Sequence, residues 1–122
     1  MIANSKSIRT FIGAKDYKVS RQFYRELGFE EKELSHNMCV FYVNKTLSFY
    51  LQDYYAKEWV NNSMVFLEVE DVDASYEELR TLCLPEKYKF VKLSPIKTRD
   101  WGREIFMHDP SGVLWHFGAF RE

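Results

Sequence analysis

The sequence carries an approximate copy of itself, and that repeat limits the folds open to it more than any other feature. Residues 8–14 alternate like a strand, after which Asp16 can cap a helix that places Val19, Phe23, Tyr24 and Leu27 on one face and stops at Gly28. Residues 64–69 read as a second strand. Asp71 or Asp73 can cap the helix that follows, whose apolar stripe is Val72, Tyr76, Leu79 and Leu82. At one constant offset Phe11 falls on Phe66, Ala14 on Val69, Asp16 on Asp71, Val19 on Ala74 and Leu27 on Leu82. A hairpin follows each helix. Residues 38–43 and 46–51 meet at Asn44-Lys45, and residues 103–108 and 113–119 meet at Asp109-Pro110-Ser111-Gly112, which has Pro and Gly where a reversal needs them. Each half reads β-α-β-β-β or a shortened form. The expected organisation is one domain over residues 1–122, with module one at about 5–51, a connector at about 52–63 and module two at about 64–120. At 122 residues the chain has one core and no room for a separate nucleotide-binding domain.

Composition sharpens the functional question. Ten Phe, eight Tyr and three Trp make up 17% of the chain, enough ring surface to suggest a ring-lined groove or a subunit interface as well as an aromatic core. A net charge of −1 gives no bulk attraction to nucleic acid or anionic membrane. No apolar run is long enough to span a bilayer, and residues 1–10 lack the apolar segment of a signal peptide, so a cytoplasmic protein is expected. Cys39 and Cys83 lie far apart without a Cys-x-x-Cys pair and are expected as two reduced, buried thiols.

Three stretches carry a family resemblance: Lys15-Asp16 followed by Phe23-Tyr24-Arg25-Glu26-Leu27-Gly28-Phe29; Val69-Glu70-Asp71-Val72-Asp73; and Trp101-Gly102-Arg103-Glu104 running to Asp109-Pro110-Ser111-Gly112 and Trp115-His116-Phe117. In order and spacing the chain resembles the glyoxalase, bleomycin-resistance and extradiol-dioxygenase superfamily, or vicinal oxygen chelate proteins, and most of all its bleomycin-resistance branch. The resemblance implies an α+β fold of two βαβββ modules, a curled mixed sheet around a concave cleft with helices outside. Strand parity then puts Met64, Phe66 and Glu68 in the cleft, with Arg9, Phe11 and Gly13 as their counterparts. Carried along the hairpins, parity adds Leu47, Phe49 and Leu51, and on the last strand Leu114, His116 and Gly118.

Metal-dependent members of that superfamily bind a divalent ion through His, Glu or Gln on the first and last strands of each module. The matching positions here are Arg9, Met64, Phe49 and His116, of which only His116 is a suitable ligand for zinc, iron(II) or manganese. No metal and no cofactor are therefore expected. No nucleophile elbow, His-Glu-x-x-His or phosphate-binding glycine loop is present. Ser111 reads as turn chemistry, and His36 as an exposed loop residue.

The resemblance implies sequestration of a ligand without chemistry, in a groove shared by two subunits. The expected ligand-contacting residues are Arg9, Phe11, Met38, Tyr42, Phe49, Trp59, Met64, Phe66, Trp101, Arg103 and His116. Six basic residues, Lys87, Lys89, Lys92, Lys97, Arg99 and Arg103, stand against Asp100 alone in residues 87–103. This disfavours the cationic drug bleomycin and favours an aromatic or amphipathic ligand with an anionic group; alternatively, Arg9 pairs with Glu68 and the basic stretch is solvated. Two other readings remain: a glyoxalase-like lyase or isomerase, or a dioxygenase-related enzyme, using His116 as base or ligand, and a single-stranded nucleic-acid module through Lys87 to Arg103, where Lys87-Tyr88-Lys89-Phe90-Val91-Lys92 interleaves basic and aromatic residues. The expected partners are a small molecule and a second copy of the chain, because Tyr54, Tyr55 and Trp59 are too apolar for a free linker; no nucleic acid or membrane partner is expected.

Overall fold

The computed structural model describes residues 1–122. In chain order the elements are β1 (Phe11–Gly13), α1 (Tyr17–Glu26), β2 (Glu30–Ser35), β3 (Met38–Tyr42), β4 (Ser48–Gln52), α2 (Lys57–Val60), β5 (Met64–Glu68), α3 (Val72–Thr81), α4 (Leu84–Lys87), β6 (Lys92–Leu93), β7 (Lys97–Thr98), β8 (Gly102–His108) and β9 (Leu114–Phe120). The two long helices begin alike. Asp16 accepts a hydrogen bond from the Val19 N–H (3.2 Å) and Asp71 from the Ala74 N–H (3.1 Å), so the repeated aspartates cap the repeated helices. They also end alike. Gly28 follows α1 at φ +105°, and its repeat partner Cys83 follows α3 at φ +54°. A left-handed residue there satisfies the last helical carbonyls, at little steric cost for glycine and at some cost for cysteine.

The strands form two mixed sheets in the order β1-β4-β3-β2 and β5-β9-β8-β6, with β7 pairing β8 further along. In each module the first strand runs parallel to the last, Phe11 opposite Tyr50 and Phe66 opposite His116. Module one builds its outer strand as β2. Module two replaces that strand with α4 and the two short strands β6 and β7. Residues 8–10 do not extend β1, as the alternation had suggested: pairing with β4 stops where the Tyr50 N–H donates to the Thr10 carbonyl, and Ile8 is 97% exposed.

Helices cover one face of each sheet, and the core lies between them. Tyr24 of α1 is its hub. Its ring packs on Phe41 and Phe49 of module one and on Trp115 of module two. Its hydroxyl donates to Asp109 Oδ2 (2.6 Å) and accepts from Trp115 Nε1 (2.9 Å). Asp109 Oδ1 accepts from the Ser111 and Val113 N–H groups, closing the β8–β9 turn. Ser111 does more than shape that turn: its buried Oγ accepts from the Lys15 N–H and meets Ser20 Oγ at 3.2 Å, tying module two to the start of α1. The modules are thus joined by a satisfied polar network, the condition under which burying such groups is tolerable.

The connector packs on β1. The Trp59 ring and the Tyr54 carbonyl lie where a side chain on Gly13 would point, and Tyr54 O accepts from the Ala14 N–H. Of the two cysteines, Cys39 is buried as expected. Cys83 is exposed, correcting the expectation of two buried thiols, because the left-handed turn after α3 leaves it outside the core. No helix is long and apolar enough to cross a membrane.

Candidate functional site

The faces opposite the helices are where the chain keeps unsatisfied chemistry. Cross-strand registers assign each residue to a side, since side chains alternate along a strand and paired residues share a face. On module two the open face carries Met64 and Phe66 from β5, Leu114, His116, Gly118 and Phe120 from β9, and Glu104, Phe106 and His108 from β8. On module one it carries Phe11, Tyr50, Ser48 and Gln52, with Met38, Val40 and Tyr42 beside them.

A row of three charged or titratable groups crosses the module-two face. Glu104 Oε1 lies 2.9 Å from His116 Nδ1, and Glu104 Oε2 accepts from Arg99 Nε at 2.9 Å. The Glu104 side chain is 7% exposed and that of His116 18%. Burial pushes the Glu104 carboxyl upward, but hydrogen bonds from His116 and Arg99 and their charges outweigh it and hold the group below its usual range. An ionised Glu104 makes His116 Nδ1 the donor, so Nε2 is the ring nitrogen left free of Glu104. Nε2 has no protein partner and is not sealed from solvent. The row exists because a tight turn, with the Gly102 N–H bonding to the Arg99 carbonyl, folds Arg99 and Trp101 back beside β8.

Aromatic rings surround this row. Phe66 contacts Trp101 (5.7 Å between centroids), Phe120 (5.8 Å) and His116 (6.0 Å, nearly parallel), while Phe106 meets the His116 ring edge-on at 5.0 Å. Gly118 makes this possible, since a β-carbon there would lie 2.7 Å from the Phe66 ring. Phe66, Trp101 and Phe120 remain 43%, 36% and 54% exposed, a contiguous ring surface that the fold leaves uncovered. Beside it, a groove of about 660 Å³ is bordered by Phe66 and Phe120 and by the carboxylates Glu68, Glu70 and Glu122. On the opposite side Lys97 and Arg99 lie over the Phe106 ring at 5.8 and 5.5 Å. The face is acidic along β5 and basic along β7. A smaller cavity of about 230 Å³ lies elsewhere, between the modules on the helix side, lined by Leu27, Phe29, Leu67, Leu79 and Phe117 among others.

The module-one face is built from hydroxyls and one guanidinium. Arg9 Nε donates to Ser48 Oγ (2.7 Å) and Nη1 to the Tyr50 hydroxyl (3.1 Å), with its cation over the Tyr42 and Tyr50 rings. Its partners are therefore not Glu68, the alternative the sequence left open.

The predicted site residues separate into groups. Arg9, Phe11, Met38 and Tyr42 share the module-one face; Met64, Phe66, Trp101 and His116 share the module-two face. Two fall elsewhere, and Trp59 covers the β1 edge of the module-one face. Phe49 is buried on the helix side against Tyr24 and Trp115, and Leu51 is buried with it. The parity carried through the first hairpin was off by one residue, so the true counterpart of His116 is Tyr50. Arg103 points to the helix side, where both its terminal nitrogens donate to Asp73 of α3 at 2.9 Å. Trp59 sits with Tyr54 over Gly13. The cationic stretch is also less cationic than its sequence, because Lys87 pairs with Glu26, Arg99 with Glu104 and Arg103 with Asp73. Tyr88 in the interleaved segment is buried against Phe23, so it offers no base-stacking platform.

Sequence reasoning missed Glu104, Arg99, Phe106, Phe120 and Tyr50 as site residues. For Glu104 and Phe106 a signal existed: the Asp109–Gly112 turn fixes the β8–β9 register and with it places Phe106 opposite His116 and Glu104 opposite Gly118.

The family comparison now has a geometry to meet. The sequence model of the Glyoxalase/Bleomycin resistance protein/Dioxygenase superfamily matches residues 7–117. The chain belongs to this superfamily. Among solved structures it is similar to the bleomycin-binding protein from bleomycin-producing Streptomyces verticillus complexed with copper(II)-bleomycin (TM-score 0.78, 21% identity, covering 94% of this chain and 96% of that one). It is similar too to the bleomycin resistance determinant encoded on the transposon Tn5 (0.76, 16%, 95% and 99%) and to a glyoxalase/bleomycin resistance protein from Catenulispora acidiphila (0.73, 22%, 96% and 100%). No curated protein matches the sequence significantly. At these identities the structures show a shared fold.

A divalent ion of the kind held by metal-dependent members of the superfamily does not fit the residues present. With Tyr50 replacing Phe49, the four ligand positions are Arg9, Tyr50, Met64 and His116, and the Tyr50 hydroxyl is engaged by Arg9. Nowhere do three or more His, Cys, Asp or Glu side chains converge. The second oxygen of Glu104, the one acid beside His116, is held by Arg99.

Proposed function

We propose that this chain is a metal-independent binding protein of the bleomycin-resistance type, which sequesters an aromatic or amphipathic small molecule. The observation that carries the reading is the exposed Phe66–Trp101–Phe120 surface beside the buried Glu104, which is paired with half-buried His116 and exposed Arg99. Apolar rings supply affinity, and a few fixed polar groups orient the ligand. Bleomycin is bound by structural neighbours, but it is a poorer match to a face whose β7 side presents the unpaired cation Lys97. An anionic group on the ligand suits that side, while Glu68 on β5, Glu70 just after it and Glu122 after β9 oppose it on the other. The active form is a homodimer in which the Arg9–Phe11–Tyr42 face of a second copy closes the groove. Sedimentation at micromolar concentration is expected to give a dimer, and a monomer there sinks the shared groove.

Tryptophan fluorescence titrated with anilinonaphthalene sulfonate is expected to report micromolar binding in the wild type and at least tenfold weaker binding in Trp101→Ala. Bleomycin at low and moderate salt is the counter-test. Submicromolar binding of that drug overturns the charge argument, and failure of both probes overturns the binding reading.

A second reading has one observation in its favour. A carboxylate holding His116 Nδ1 leaves Nε2 as a general base, the arrangement a metal-free isomerase or lyase requires. Solvent deuterium appearing at carbon beside a carbonyl in a trial substrate, and lost in His116→Phe, would favour it.

A further inference from the structure

We propose that the module-two face selects aromatic ligands that carry both a hydroxyl donor and a carboxylate; the inference rests on the binding reading above and specifies its ligand class. The donor follows from the accounting of Glu104. Its two oxygens are taken by His116 Nδ1 and Arg99 Nε, so the neutral form of the His116 ring is the tautomer with its proton on Nδ1. Nε2 then presents a lone pair on a face walled by Phe66, stacked on the imidazole, and by Phe106, edge-on to it. A ring lying along this wall that ends in O–H satisfies Nε2. A methyl ether or a bare ring leaves it without a partner, and the cost of an unpaired polar group is what makes such a site selective.

The carboxylate follows from Lys97. It stands opposite Glu104 in the β7–β8 ladder and so shares its face, but Glu104 has no oxygen left for it. No carboxylate lies within ion-pair distance of the Lys97 ammonium, which rests 5.8 Å from the centre of the Phe106 ring, the same ring that meets His116 edge-on and carries the neutralised Arg99. The hydrogen-bond acceptor and the free cation therefore flank one ring, and a single planar ligand can reach both. Glu68, Glu70 and Glu122 on the far side set its direction, with the anionic end toward β7.

Isothermal titration calorimetry with three probes separates the elements: p-hydroxycinnamate, p-methoxycinnamate and methyl p-hydroxycinnamate. The hydroxyl acid is expected to bind about tenfold tighter than its methyl ether, a preference lost in His116→Phe. It is expected to bind about fivefold tighter than its methyl ester, a preference lost in Lys97→Met, a half-exposed site where the substitution leaves the fold intact. Equal binding of hydroxyl and methoxy acids, or of acid and ester, overturns the inference while leaving the binding reading in place. Absence of heat with all three probes, together with absence of anilinonaphthalene sulfonate binding, overturns both.

Discussion

The two open faces are the same piece of architecture with different chemistry. Phe11 and Phe66 hold equivalent places on the first strands, opposite Tyr50 and His116 on the last; one strand over, Met38 and Glu104 correspond. Module one fills the two differing positions with a phenol and a thioether, and Arg9, from before β1, bonds only hydroxyls. Module two fills them with an imidazole and a buried carboxylate, and Arg99, from the β7–β8 turn, neutralises the carboxylate. The backbone repeat therefore decides where a side chain points, and the residues at two registered positions, with a guanidinium brought in from outside the repeat, decide whether the face can orient a polar ligand. The same contrast holds at the turns. Asn44 Oδ1 accepts from Thr46 and Leu47 N–H groups in solvent, and Asp109 does the equivalent for Ser111 and Val113 in the core.

The contrast between turns gives the largest expected effect. Burial raises the Asp109 carboxyl from 3.8 to about 6, against the hydrogen bonds it receives from Tyr24 and the turn backbone. Between about pH 4 and 6 the folded chain keeps a proton that the unfolded chain has lost, so stability falls as pH rises, by roughly 3 kcal/mol. Urea unfolding across that window should show this slope in the wild type and a flatter one in Asp109→Asn. Glu104 acts with the opposite sign: held below 4.5, it contributes fully above that value and loses its contribution as pH falls through its folded one.

The open faces give the next effect. Glu104→Gln should cost about 2 kcal/mol by thermal unfolding, a figure reduced for the partial exposure of Arg99, because His116 and Arg99 lose their shared acceptor. Met38→Leu at the equivalent place should cost less than about 0.5 kcal/mol. Equal losses would erase the distinction between the modules.

A third test concerns ligand contact. Phe66→Ala should weaken anilinonaphthalene sulfonate binding about tenfold, and Phe11→Ala about threefold through the second copy in the proposed dimer. A larger loss at Phe11 would move the site to module one. The smallest effect lies at the helix ends: Cys83→Gly, which restores the residue module one uses at that left-handed position, should raise stability by about 0.5–1 kcal/mol. No gain there would mean that Cys83 makes compensating contacts.

The fold was legible because its signals are local. The aspartate caps, the stripe led by Phe23 and Tyr24, the stop at Gly28 and the Asp109–Gly112 turn each act over a few residues, and each stands where the repeat put it. The candidate site was legible only in part. Parity within short, well-marked strands put His116 and Phe66 on the open face, and the family resemblance put Trp101 beside them. Phe49 was misplaced because the parallel β1–β4 register depends on chain segments far apart, and one residue of slip reverses a whole strand. Arg103 was misplaced because its neighbour Asp73 belongs to a helix on the other side of the sheet.

By itself the sequence determined two modules, their helix caps and the aromatic surplus, since hydrophobic period and capping are properties of residues and near neighbours. Tertiary structure alone decided that Glu104 would be buried between His116 and Arg99, that half of the basic stretch would be neutralised by Glu26, Glu104 and Asp73, and that Tyr24 would bind the modules through Asp109 and Trp115. Those outcomes depend on which distant groups share a desolvated space, and charge and hydrogen bonding act through that space rather than along the chain.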